Sequence, residues 1–88
     1  MKDKHLDKKI LLFVYNNLSP STEVLEMSKV AKEFGGYSRG YVYDRVLILT
    51  RDGYLSRFGL IREFVSLTRK GAEAVEKLKE EEQRTQKE

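Results

Sequence analysis

Ser38-Arg39-Gly40-Tyr41-Val42-Tyr43-Asp44-Arg45 places two guanidinium groups, three hydroxyls and a glycine in one short run. A guanidinium donates in a planar fork that fits phosphate oxygens or the edge of guanine, and hydroxyls beside it donate to phosphate. The chemistry on offer is the grip of a polyanion. Arg57 and Arg62, on either side of Gly59, extend it. Charge is distributed to match. Residues 35–70 carry six Arg and one Lys against three acids, net +4, whereas residues 1–34 net +1 and residues 71–88 net −2.

Bond-making chemistry finds no comparable set. His5 is the only histidine and there is no cysteine, so neither a thiolate nucleophile nor a zinc site can be assembled. Gly35 and Gly40 have the spacing that opens a phosphate-binding loop, but Tyr41 stands where that motif requires lysine. Most carboxylates sit at helical spacing from a base, as in Glu73 with Lys77 and Glu80 with Arg84, which suits surface ion pairs. No enzyme, metal or cofactor is expected, and no small-molecule effector can be inferred.

The elements that must position the arginines follow from periodicity. Leu6, Ile10, Val14 and Leu18 recur at four-residue spacing, which predicts a first helix over 6–18, stopped by Ser19-Pro20. Residues 23–27 read as a short strand or an irregular lead-in. Ser28 is expected to cap a second helix carrying Val30, Ala31 and Phe34 and ending at Gly35-Gly36. Ser38 caps a third, running to about Asp52 before Gly53. Residues 54–58 and 62–68 are aromatic and β-branched, a hairpin turning at Gly59. A last helix begins near Thr68 or Arg69 and continues through Lys79. The expectation is one α+β domain, mostly α, over residues 1–79, followed by a hydrophilic helix extension or tail over 80–88. An 88-residue chain has room for a single core. No segment approaches the roughly 20 consecutive apolar residues of a membrane span, and no signal-like segment follows the charged start, so a cytoplasmic protein is expected.

In this order the chain resembles a winged helix-turn-helix domain. The resemblance rests on Ser38-Arg39-Gly40-Tyr41-Val42-Tyr43, opening a helix that closes in Arg51-Asp52-Gly53-Tyr54-Leu55, and on Ser66-Leu67-Thr68-Arg69-Lys70-Gly71, similar to the strand-to-helix junction of PadR-like and MarR-like regulators. It covers roughly residues 6 to 79. It implies a three-helix core, a β-wing of two or three strands, a C-terminal helix and double-stranded DNA as partner.

On a helical wheel from Ser38, the residues Val42, Val46 and Leu49 form the inward face, while Gly40, Tyr43, Asp44, Leu47 and Arg51 point outward and Tyr41 and Arg45 lie on one flank. Docking of such a helix N-terminus first makes Ser38, Arg39, Gly40, Tyr41, Tyr43 and Arg45 the expected contacts, joined by Arg57 and Arg62 from the hairpin. The alternative for the hairpin pair is ordinary solvation. Leu60 and Ile61 make the tip unusually apolar, which argues against DNA insertion and leaves room for packing against a partner. Leu12 and Tyr15 project away from the first helix's stripe. With outward Leu47, and Val75 and Leu78 on the last helix, they suggest a homodimer whose two reading helices lie roughly 34 Å apart. The expected function is a dimeric, sequence-specific DNA-binding regulator. The alternatives are a DNA-coating or partition protein and a protein-interaction winged helix.

Overall fold

The computed structural model describes residues 4–18 and 23–86. The chain runs α1 (Lys4–Asn17), β1 (Leu25–Glu26), α2 (Met27–Glu33), α3 (Arg39–Arg51), β2 (Leu55–Phe58), β3 (Phe64–Leu67) and α4 (Arg69–Gln86). It is an α+β fold, mostly helical, with one antiparallel sheet in the order β1-β3-β2. The stop expected at Ser19-Pro20 lies outside the described residues. No helix among the described residues is long and apolar enough to cross a membrane.

Periodicity explains the core. Leu6, Ile10 and Val14 on α1 meet Val42, Val46 and Leu49 on α3, and all six are buried, as the spacing expects. Each such side chain contributes about 1.5–3 kcal/mol on burial. Leu25, Val65 and Leu55, one from each strand, close the core from the sheet side. Central β3 pairs on both edges: Leu25 faces Val65 across one, and Leu55 faces Leu67 across the other.

One boundary differs from expectation. Helix α2 begins at Met27 with Glu26 as N-cap, not at Ser28. Met27 is itself buried, and its N–H donates to the Glu63 carbonyl at 2.9 Å, so the chain turns straight from β1 into the helix. Ser28 Oγ donates instead to the Glu26 carboxylate at 3.3 Å. Helix α4 runs on through Gln86, so of the two alternatives for the hydrophilic segment after Lys79 the described residues take the helix extension.

The junction after the hairpin fixes its pose relative to α3. Thr68 Oγ1 donates to the Gly53 carbonyl at 2.5 Å and lies 3.0 Å from that of Tyr54, while accepting from the Gly71 N–H at 3.0 Å. A Cβ on Gly71 would overlap the Tyr54 carbonyl, so only glycine lets the start of α4 lie this close to the α3–β2 turn. Lys70 adds a hydrogen bond to the Asp52 carbonyl at 2.8 Å and covers the Tyr54 ring at 4.5 Å.

Candidate nucleic-acid interface

The outer start of α3 is assembled from residues that nothing in the core requires. Ser38 is extended and its Oγ accepts the Tyr41 N–H at 3.2 Å, satisfying one of the free donors at the helix start. Ser38, Arg39, Gly40 and Tyr41 are all exposed. A Cβ built on Gly40 would meet open space, so no internal packing calls for glycine there. Tyr37, just before the cap, stacks on Tyr41 with ring centroids 5.9 Å apart. Sequence reasoning passed over Tyr37, although its four-residue spacing from Tyr41 was the available signal. Asp44, Leu47 and Arg51 are exposed as expected, with Arg51 3.7 Å from Asp52.

Arg45 must be reassigned. It is 5% exposed, and its guanidinium forks onto Asp7 of α1, with Nε 2.8 Å from Oδ1 and Nη2 2.6 Å from Oδ2. The expectation of an Arg45 contact to DNA fails because position 45 follows Val42 by three and precedes Leu49 by four, which places it on the inward stripe facing α1. Its fork is spent inside the molecule. Tyr43 is also less outward than expected: half-buried against the core, it leaves only an edge to solvent.

The hairpin presents its arginines unequally. Arg57 is exposed on β2 and lies 3.4 Å from Glu63 Oε1, which partly neutralises it. Arg62 is exposed in the tip. Gly59 has φ +105°, and a Cβ there would overlap the Arg62 carbonyl, so the turn is built on a glycine. A depression of about 330 Å³ joins the tip to the helices, with Ile61 and Arg62 on one side and Tyr43, Met27 and Ser28 on the other. Lys29 and Lys32 are exposed on α2.

The residues expected at a dimer interface separate into three groups. Val75 is fully buried in this chain's own core and has no surface to offer, because α4 packs that side of itself against α1. Leu12 and Leu78 are half-buried and line a groove of about 450 Å³ between α1 and α4, edged by Lys8 and Lys9 on one helix and Glu81 and Glu82 on the other. Tyr15 lies partly exposed on α1, its ring covered by Lys79 at 4.3 Å. Leu47 is 42% exposed on α3 and does not line that groove.

Among the described residues no cluster of His, Cys, Asp or Glu is placed to hold a metal ion. Comparison of the chain with protein families, with curated proteins and with solved structures finds no match.

Proposed function

We propose that this chain is a winged helix-turn-helix protein that binds double-stranded DNA, with α2 and α3 as the helix-turn-helix, α3 as the reading helix and the β2–β3 hairpin as the wing. The observation that carries this reading is the exposed opening turn of α3, where Ser38, Arg39, Gly40 and Tyr41 together face solvent around a capped helix start. Positive helix ends favour anions, Arg39 adds a fork, and bare Gly40 lets a phosphate or base edge approach the backbone. Lys29 and Lys32 on α2 and Arg62 on the wing lie ready for flanking phosphates. The contact set is Ser38, Arg39, Gly40 and Tyr41, with Tyr43 at its edge and Arg57 and Arg62 from the wing; Arg45 is not in it.

The protein acts as a regulator that reads base edges with the first turns of α3, as a homodimer in a cytoplasmic, DNA-associated setting. The dimer forms through the α1–α4 face, where Leu12 and Leu78 supply apolar area and basic Lys8 and Lys9 oppose acidic Glu81 and Glu82, an arrangement that a two-fold axis can satisfy on both sides at once. Sedimentation across micromolar concentrations tests the assembly, and a monomer throughout contradicts it.

A gel shift with a random-sequence duplex library at low salt tests the main reading. Retention is expected, weakening as salt rises with a log–log slope of roughly −0.9 per phosphate neutralised. No retention at micromolar protein overturns it.

A further inference from the structure

The wing is well supported along its length and bare at its end. Phe58 and Phe64 stack across the strands at 6.2 Å, and Val65 beneath them is fully buried. Leu60 and Ile61, at the tip, are 102% and 100% exposed, as open as in an isolated extended chain. A single exposed leucine is unremarkable on a soluble protein. Two adjacent aliphatic side chains at the apex of a projection are different, because the apex is built on Gly59 at φ +105° and backed by the phenylalanine stack.

We infer that Leu60-Ile61 is a wedge that enters DNA from the minor groove, unstacks a base step and bends the duplex, while Arg62 and Arg57 hold phosphates on either side of the opened step. The inference rests on the DNA-binding reading above and adds a mechanical action to it. The apolar tip alone speaks against insertion and for a protein partner; three observations reverse that expectation and favour a duplex as the occupant. The apolar area is small: two side chains fall well short of the roughly 800 Å² per partner that a stable protein interface buries, whereas a wedge needs no more than one or two. Arg57 precedes the apolar pair along the chain and Arg62 follows it, both exposed, the order that suits an apolar step between two phosphate strands. The tip also lies beside the reading helix, since Ile61 and Arg62 share their depression with Tyr43 of α3. A duplex on the outer face of α3 therefore passes within reach of it. Glu26 and Glu63 also line the depression, and their charge keeps phosphates at its arginine-bearing rim.

The test is energy transfer across an end-labelled, A·T-rich duplex of about 30 base pairs containing TA steps, which unstack readily. Wild-type protein is expected to shorten the end-to-end distance by a bend of about 20–90°. L60S/I61S is expected to melt like wild type, still retain the duplex with affinity lowered about tenfold, and lose the bend. L60M/I61M, which keeps apolar bulk, is expected to preserve it. Retention by wild type without a bend, or an unchanged bend with L60S/I61S, overturns the wedge and leaves the DNA-binding reading standing. An unchanged bend with L60S/I61S, together with loss of the chemical cross-links that wild-type copies form with one another on the duplex, overturns it in favour of a protein contact. No retention by wild type overturns both.

Discussion

Arg39 and Arg45 sit on the same helix, and the structure gives them opposite surroundings. Arg39 stands in the first turn of α3 and is exposed; Arg45 is buried and forked onto Asp7. Six residues advance a helix by about 600°, which leaves the two side chains roughly 120° apart around the axis. That angle decides which charge is available to a partner and which one locks α3 to α1. Residue type alone does not mark a binding arginine; its position relative to the apolar stripe does.

The largest expected effect lies on the buried side of this comparison. Arg45→Ala strands the Asp7 carboxylate in a part-buried site and should cost about 3–5 kcal/mol of stability in urea unfolding, with any DNA binding lost only as the fold is lost. Replacing both partners by apolar residues, Arg45→Met with Asp7→Leu, should recover most of that loss. A single variant that melts like wild type but fails to bind DNA would invert the comparison and return Arg45 to the interface.

Next comes the exposed side. Arg39→Glu should lower duplex affinity about tenfold or more and make the log–log salt slope shallower by about 1, with the melting temperature nearly unchanged. Unfolding of that variant contradicts the assignment of Arg39 to a free face.

Two smaller effects separate helix stability from binding at the same turn. Ser38→Ala removes the side-chain cap from the Tyr41 N–H and should cost about 1 kcal/mol in thermal or urea unfolding. Gly40→Ala should do the reverse, adding about 0.5–1 kcal/mol, because the new methyl meets open space and alanine favours the helix. If Gly40 admits a phosphate or base edge to the backbone, this more stable protein binds duplex more weakly. Unchanged affinity restricts Gly40 to a tolerated position at a helix start.

The order of elements was legible because each carries its own period or stop: four-residue spacing in α1, Ser38 and Gly53 bracketing α3, and Gly59 between two β-rich runs. The inward face of α3 was legible for the same reason. What the sequence concealed are long-range pairings. Asp7 is 38 residues from Arg45, and no local pattern announces that two helices will cross there. Even so, the place of Arg45 between Val42 and Leu49 was a readable sign of burial. Surplus apolar residues on α1 and α4 suggested a partner, and part of that surplus is consumed within the chain, where Val75 enters the core. The cap at Glu26 was hidden because Ser28 is the better capping residue by preference, and tertiary pairing of Met27 with Glu63 overrides it. Thr68 and Gly71 were visible as a motif, but their task of joining the end of α3 to the start of α4 was not.

The claim on which the rest depends is that the outward opening turns of α3 meet the duplex. Amide chemical shifts followed by NMR during titration with duplex DNA test it most directly. The account expects the largest changes at residues 38–43, a second set at 57–62 on the β2–β3 hairpin, and little change in the groove between Leu12 and Leu78. Changes concentrated in that groove, with residues 38–43 unmoved, contradict it.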